Sequence, residues 1–307
     1  MNIEVTRINS RTEASPQEFV KNINAEYNYR IEQIVESIVK ERNEKPVILL
    51  SGPSGSGKTT TAMMIEKCLD SMGYETHTMS MDNYFCSLSP EEKVLAAEGK
   101  MDLESPLRID KELLNKQIEA IEKCEPIEIP RYNFGTSQRE EKGKHFCRKP
   151  GELVIFEGIH ALNPDVITVP DSMISKIYIS VRTRIVHEDI ILHPSKVRLM
   201  RRMIRDKNFR KRSLRETMNM FRSVEEGENK YIMPYKYRSD FDVDTFSAYE
   251  MSVYRNSLLS QLKEMSDVEE LKDVIRVLEA LTPLDKKFVT PDSLICEFIG
   301  HGQFKYS

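Results

Sequence analysis

Residues 46–60 read Pro-Val-Ile-Leu-Leu-Ser-Gly-Pro-Ser-Gly-Ser-Gly-Lys-Thr-Thr. An apolar run, Val47 to Leu50, leads into a glycine-rich turn. Lys58-Thr59 then opens a helical pattern carried by Ala62, Met63, Ile65 and Leu69. The spacing of Gly52, Gly57, Lys58 and Thr59 matches G-x-x-x-x-G-K-[ST], a loop that binds the phosphates of a nucleoside triphosphate. Each residue type has a physical reason. Glycine lets backbone N–H groups curl round an anion without a Cβ in the way. The helix N-terminus adds partial positive charge. Lysine reaches the β- and γ-phosphates, and the threonine hydroxyl holds Mg²⁺. Gly52, Ser54, Gly55, Ser56, Gly57, Lys58, Thr59 and Thr60 are the expected nucleotide-binding residues. The loop alone leaves the destination of the phosphate open.

Composition sets the outer limits. The chain has 307 residues, 39% apolar and 31% charged, enough for one large core with appendages. No apolar run approaches the ~20 residues of a membrane-spanning helix. Met1 to Glu13 is polar and charged, which argues against a signal peptide. The five cysteines, Cys68, Cys86, Cys124, Cys147 and Cys296, are scattered without a C-x-x-C spacing. Free thiols in a reducing cytoplasm are expected, and metal ligation by them is not. The net charge is −4, and no internal repeat or low-complexity tract is evident.

Outward from the loop, strand and helix patterns alternate. Upstream, Ser15-Pro16-Gln17-Glu18 reads as a capping box with proline at the first helical position. Phe19, Ile23, Tyr27, Ile31, Ile34, Val35 and Ile38 follow at spacings of three and four, predicting one helix packed on the main domain. Downstream, Glu75 to Met79 is an expected strand leading to Asp82-Asn83-Tyr84-Phe85. Ser89-Pro90-Glu91-Glu92 is a second capping box, and Asp110 caps a helix to about Glu122. Glu152 to Phe156, Ile174 to Val181 and Phe241 to Val243 are further strands. The alternation predicts an α/β fold: a parallel sheet of about five strands covered by helices on both faces. The last 60 residues read as mostly helical. Ser266 to Glu269 reads as a third capping box there, and Val268, Leu271, Val274, Ile275, Leu278 and Leu281 form an apolar face. The expected division is an N-terminal helical extension (1–44), a phosphate-loop domain (45–246) and a C-terminal helical appendage (247–307).

Asp82 follows a strand on the side where open α/β sheets bind ligands. A carboxylate there can accept the proton of an attacking hydroxyl or hold Mg²⁺, or it is simply a turn aspartate. Glu157 ends the strand Leu-Val-Ile-Phe, where phosphate-loop enzymes place a metal-side acid, and Gly158 after it permits close backbone approach. His160 either lines the site or is structural. Lys196 to Arg222 holds eleven Lys or Arg and only two acids, Asp206 and Glu216. Three readings compete: a solvated face, a nucleic-acid footprint, or a mobile lid whose arginines stabilise a transferring phosphoryl group. Arg198, Arg201, Arg202 and Arg205 share roughly one helix face, with Leu199, Met203 and Ile204 on another, which favours the lid.

Taken together, GPSGSGKTT (52–60), SMDNYF (80–85), DLESPLRID (102–110), PRYNFGTSQR (130–139), VIFEGIHALN (154–163) and RLMRRMIRDKNFR (198–210) resemble the uridine kinase family, in the uridine kinase and phosphoribulokinase group. ENKYIMP (228–234) and TPDSLICEFIG (290–300) resemble a bacterial branch whose members often carry an extra N-terminal domain, expected to be replaced here by the helix of residues 15 to 42. The resemblance implies ATP-dependent phosphorylation of a nucleoside 5′-hydroxyl, with Mg²⁺. It implies Asp82 as general base with Lys58 also catalytic, Thr59 and Glu157 on the metal side, and Asp82 as a further metal contact. It implies Arg198 at the nucleoside, Arg201 and Arg205 as catalytic lid residues, and Arg202 and Arg210 in the same lid. Tyr132 and Phe134 match the nucleobase pocket, with Ser137 and Arg139 beside them. Two departures stand out. Leu103-Glu104-Ser105-Pro106 replaces Phe-Asp-His-Pro, so Glu104 would hold the ribose hydroxyls with one more methylene of reach. Ser137 stands where well-studied members have a base-reading histidine, which leaves base selectivity open. The expected partners are a nucleoside and ATP, with no nucleic acid and no membrane; family members are often homo-oligomers. Rival expectations are a kinase of the same group acting on a sugar phosphate or a pantothenate-like acid, and a nucleotide-dependent RNA-binding module.

Overall fold

The computed structural model describes residues 1–305. The chain opens with β1 (Asn2–Glu4), α1 (Val5–Ala14) and α2 (Pro16–Glu41). The N-terminal extension is thus two helices and a strand, and not the one helix expected. The break lies at Ser15, which is extended (φ −163°, ψ 91°). Its neighbour Pro16 disfavours a helical conformation for the preceding residue. The capping box expected at Ser15 is absent: no backbone N–H bonds the Ser15 side chain. The apolar stripe of α2 is fully buried, as its spacing implies, and Tyr27 Oη lies 2.7 Å from Thr61 Oγ1 of the next helix.

Then follow β2 (Val47–Ser51), α3 (Lys58–Ser71), β3 (Thr76–Ser80), α4 (Pro90–Ala97) and α5 (Lys111–Glu122). The capping box at Ser89 and the Asp110 cap both form. Two short antiparallel pairs come next. β4 (Ile127–Ile129) pairs with β7 (Lys144–Phe146), and β5 (Tyr132–Asn133) with β6 (Gln138–Arg139). The chain continues through β8 (Leu153–Glu157), β9 (Ile174–Ser180), and the hairpin β10 (Arg184–His187) and β11 (Ile190–Leu192). After α6 (Pro194–Phe209), α7 (Leu214–Tyr231) and β12 (Phe241–Asp244) come α8 (Glu250–Lys263), α9 (Lys272–Ala280) and α10 (Cys296–Ile299). No capping box forms at Ser266: Val268 is extended and α9 begins only at Lys272.

Five parallel strands make the central sheet, in the order β12-β9-β2-β8-β3. Alternation along β2 explains its two-sided burial. Ile48 and Leu50 join the core that holds α2, α3, α6, α8 and α9, while Val47 and Leu49 join the core under α5. The chain leaves β2 toward β3 on one side and later returns to β9 on the other. The C-terminal end of β2 is therefore a topological switch point, where sheets of this class open a crevice. Among the described residues no helix is long and apolar enough to cross a membrane, and all five cysteines are free.

Ile38 of α2 is 1% exposed in the larger core. Ile38→Ala should cost about 2–5 kcal/mol in urea unfolding, from lost burial and the cavity left behind. Tyr29→Ala, on the same helix but 61% exposed, should stay within about 0.5 kcal/mol. Equal effects would mean that α2 does not pack as described.

Candidate functional site

The crevice is built on the loop between β2 and α3. Gly57 is the N-cap of α3 and sits in the left-handed region (φ 90°, ψ 27°), where a Cβ would be strained. Lys58 folds back over the loop, its Nζ donating to Pro53 O at 3.2 Å. Ser56 Oγ is buried without a partner at the base of the loop. Arginines of α6 take the loop's carbonyl oxygens. Arg198 Nη1 donates to Ser54 O at 3.0 Å, and Arg201 Nη1 to Gly55 O and Ser56 O at 3.2 Å each. Arg202 donates to Ser54 Oγ.

This changes the expected role of α6. Residues 196–222 were expected to form an arginine-studded lid; α6 is instead buried on nearly every side, with Arg198, Arg201 and Arg202 among its buried residues. Arg201 is 0% exposed, and its guanidinium grips Glu250 through two bonds of 2.7 and 2.9 Å. It also donates to Thr245 O at 2.6 Å. No N–H of that fork is left to meet a phosphoryl group, so Arg201 is a brace of the loop and not the catalytic residue expected. Arg198 is held by Glu228 at 2.5 Å. A nucleic-acid footprint on these three arginines fails for the same reason. Arg205 bonds Asp206 Oδ1 at 3.2 Å, and Asp206, itself buried, also draws in Arg210 and Arg212. Besides Lys58, Arg210 is within electrostatic reach of Asp82 and Arg202 of Glu104.

Sheet register assembles the acids. Glu157, the last residue of β8, lies opposite Ser80 of β3 and Leu50 of β2. Asp82 follows Ser80 by two residues, its N–H bonded to Ser80 Oγ at 3.3 Å. Gly158 lets this turn close in, since a Cβ there would lie 2.7 Å from Met81 Cβ. Burial and the neighbouring Asp82 charge push Glu157 up to about 7, against the pull of Lys58. Asp82 is also raised by burial, with Lys58 and Arg210 opposing. Burial lowers Lys58, and the carboxylates of Glu157, Asp82, Glu297 and Glu104 counter it, in that order. Lys58, Asp82 and Glu157 thus share one crevice, as expected from the sequence. Thr59 stands beside them at the start of α3.

Glu104 enters from the loop after α4. Its N–H bonds Asp102 Oδ1 at 3.1 Å, and its carbonyl accepts from His160 Nε2 at 2.9 Å. That bond fixes the proton on Nε2 and leaves the buried Nδ1 without a partner. Burial depresses His160 to about 4, so the ring is neutral. Tyr132 and Phe134 pack edge to face at 5.1 Å, and both meet Phe85. Tyr132 Oη accepts from Arg108, and Phe134 is 63% exposed. Ser137 sits at the hairpin turn with φ 54°, its carbonyl bonded to Leu88 N–H at 3.0 Å. Arg139 differs from the expected substrate ligand. It pairs with Asp110 at 2.9 Å and donates to Tyr84 O and Phe85 O, so it pins the aromatic hairpin to the core. Thr60 is also engaged: its Oγ1 donates to Glu297 Oε2 at 2.7 Å. Sequence reading missed Glu250 and Glu297, which act across 49 and 237 residues of sequence and so leave no local spacing to read.

The family model described as Phosphoribulokinase / Uridine kinase family matches residues 47–252, and the chain belongs to that family. Uridine kinase of Staphylococcus epidermidis is 27% identical over 201 residues, 64% of this chain and 86% of the relative. Uridine kinase of Staphylococcus aureus is 28% identical over 180 residues, 58% of this chain and 76% of the relative. Among solved structures, YFH7 of Saccharomyces cerevisiae superposes with a TM-score of 0.50 at 11% identity, over 69% of this chain and 98% of its own. The parallel sheet and its helices are shared with such P-loop kinases. The chain is a kinase of this family, a phosphotransferase with an alcohol group as acceptor.

Arg201→Met would leave Glu250 buried and uncompensated, which should cost about 3–5 kcal/mol in chemical unfolding. Arg201→Lys should recover little, because an ammonium cannot reproduce the planar fork. A variant as stable as the parent would remove the brace from the account. Glu157 makes a second test. Its pKa rises on folding from 4.5 to about 7, so the folded protein holds the proton more tightly. The stabilisation is present at acid pH and is lost as pH rises through that window, by up to about 3 kcal/mol. In EDTA, Glu157→Gln should reduce this fall, leaving the share of Asp82, and exceed the parent in stability at pH 8. Parallel pH profiles for the two proteins would contradict it.

Proposed function

We propose that this protein transfers the γ-phosphate of ATP to the 5′-hydroxyl of a nucleoside, with uridine and cytidine as the leading acceptors. One observation carries the reading: Lys58 is within electrostatic reach of Glu157, Asp82 and Glu104. The phosphate-gripping lysine, a base and a carboxylate able to hold a vicinal diol therefore share one cleft. The phosphate loop of Gly52, Ser54, Gly55, Ser56 and Gly57, with Lys58, Thr59 and Thr60, would hold the triphosphate. The names of the staphylococcal relatives support a nucleoside acceptor. Edge-to-face rings at Phe85, Tyr132 and Phe134 support a flat base. Phe134 is exposed enough to stack on one.

The donor set also fits Mg²⁺. Two desolvated carboxylates, Asp82 raised by burial and Glu157 by burial and the Asp82 charge, together with the hydroxyl of Thr59 make an all-oxygen donor set suited to a hard cation. Thr59, Glu157 and Asp82 would hold the ion, which supplies charge neutralisation on the phosphate oxygens. Asp82 takes the proton of the attacking hydroxyl as the oxygen bonds to phosphorus. Its raised pKa makes it a better base than a surface aspartate. Lys58, with Arg202, Arg205 and Arg210 around the cleft, spreads the negative charge of the transferring group. Glu104, partly desolvated, accepts from the ribose hydroxyls, and charge-assisted bonds of this kind are strong. Arg198 and Arg139 serve by holding the loop and the hairpin. Residues 45–246 form the kinase unit, flanked by the extensions 1–44 and 247–307, and a reducing cytoplasm suits the free thiols.

A diol is also present in many sugars, and Glu104 alone does not require a base. Purified protein with Mg²⁺-ATP should therefore be offered uridine, cytidine, purine nucleosides, deoxynucleosides, ribulose 5-phosphate and pantothenate, with ADP and phosphorylated product measured together. Uridine- or cytidine-dependent ADP with matching 5′-monophosphate is expected. Product from a sugar or pantothenate alone would replace the nucleoside reading. Asp82→Asn should lower turnover about 10²–10⁴-fold with ATP binding retained. Glu104→Ala should raise KM for the acceptor far more than for ATP. Wild-type turnover in the first or unchanged acceptor KM in the second would remove that residue from the mechanism.

A further inference from the structure

The N-terminal turn of α3 carries an acid from the far end of the chain. Glu297 Oε2 accepts from Thr60 Oγ1 at 2.7 Å and from Thr60 N–H at 3.3 Å. Thr60 is the third residue of α3, in the first turn, whose N–H groups point out of the helix N-terminus. An N-cap side chain ordinarily satisfies that donor, but the N-cap here is Gly57, which has none. A carboxylate from α10 therefore stands in one of the donor positions that a phosphate-binding loop turns toward an anion.

The segment around Glu297 is closely fitted to the loop. A Cβ on Gly57 would lie 3.0 Å from both Leu294 methyl carbons. Phe298 is fully buried and lies against the Arg201 guanidinium, 5.2 Å from carbon to ring centroid. Further ties run from Asn24 to Thr290 at 2.8 Å, Tyr249 to Ser293 at 2.6 Å, Asn208 to Phe298 O at 3.3 Å and Lys67 to Gln303 at 3.0 Å. Glu297 also acts on the reacting centre at a distance, raising both Lys58 and Glu157. A negative charge placed there repels any polyphosphate approaching the same donors.

We propose that Glu297 is a specificity-determining residue of the phosphate-donor site, an internal anion that a nucleotide must displace from Thr60 to bind. The proposal rests on the reading of residues 52–60 as a nucleotide site. Binding and release of the 291–300 segment are then coupled: nucleotide loosens the segment, and whatever holds the segment in place excludes nucleotide. Glu297 thus sets a threshold that weakly held anions do not cross. An uncharged Glu297→Gln side chain keeps an oxygen for Thr60 but no longer repels phosphate.

Mg²⁺-ATP binding should be measured by calorimetry on the full chain, for the parent, Glu297→Gln, Glu297→Ala and Lys58→Ala. Both Glu297 variants should bind at least about fivefold tighter, the lower end of ordinary coupling between sites. Amide exchange across residues 293–300 should speed up in the parent when ATP is added, a response that a purely structural cap would not give. Binding by Glu297→Gln where the parent shows none would also support the proposal. Parent and Glu297→Gln with equal affinities, or weaker binding by the variant, would overturn it while leaving the nucleotide site intact. No binding by any of the proteins would overturn both. Lys58→Ala reports separately, since its loss of affinity identifies the loop as the site whatever Glu297 does.

Discussion

The phosphate loop keeps its shape because a guanidinium with no solvent contact lies beneath it. Arg201 engages Glu250 with two N–H groups and turns the rest to Gly55 O, Ser56 O and Thr245. Glu250 is equally buried and also accepts from Ser247 N–H and Tyr254 Oη. Such a pair is costly to desolvate, and it is tolerated only when every donor and acceptor is satisfied. Arginine suits the place because its planar fork meets several acceptors in one fixed geometry. One side chain thereby locks together α6, α8, the loop and the turn after β12. Arg198 repeats the device with Glu228 of α7, so α6 holds the loop at two points and is itself braced by α7 and α8.

A few residues away the balance is reversed. Parallel register sets Glu157 opposite Ser80, and the chain then delivers Asp82 into the same space. One lysine faces these acids together with Glu104 and Glu297. Here burial raises the carboxylates, and Lys58, Arg202 and Arg210 counter it through space without pairing them off. Perturbed, incompletely compensated groups of this kind cluster where chemistry is done. The contrast between a fully paired centre under the loop and a less compensated one above it separates the residues that shape the site from those proposed to react.

The parts of the fold that were legible in the sequence are those governed by short-range rules. Strands β2, β8 and β9 were marked by their apolar runs, β3 and β12 were read as shorter strands in the alternation with helices, and the caps at Ser89 and Asp110 were marked by residue type and spacing. Lys58, Asp82 and Glu157 were legible because the loop and the strand ends fix their positions. What failed depended on tertiary context. At Ser15 and Ser266 the capping letters are present, but the backbone next to them is extended or still turning. The spacing of Arg198, Arg201, Arg202 and Arg205 correctly put them on a helix. Spacing does not report what lies against a face, and Glu228, Glu250 and the loop carbonyls lie against this one. Strand β1 was unreadable because three mixed residues carry no pattern until β10 supplies a partner.

The two sides of the cleft proposed for donor and acceptor are made of different material, and on that proposal this bears on how the protein can change its acceptor. The donor side rests on buried ion pairs and on strand ends with sheet register, where one altered side chain unbalances several others. The acceptor side rests on a loop held by backbone bonds to Asp102 and His160, and on a two-stranded hairpin whose Phe134 is largely exposed. Ser137 is bonded through its carbonyl, so its side chain is not needed to keep the hairpin in shape. Arg139 carries that duty instead, through Asp110 and two carbonyls of the Tyr84–Phe85 turn. Substitution at Ser137 or Phe134 therefore leaves the phosphate chemistry and the core untouched, whereas substitution at Arg139 disturbs both the hairpin and the strand-end turn that carries Asp82. Loops on a rigid scaffold are where binding preference is free to vary. In this chain the boundary between free and fixed runs through the hairpin itself, between residues 137 and 139.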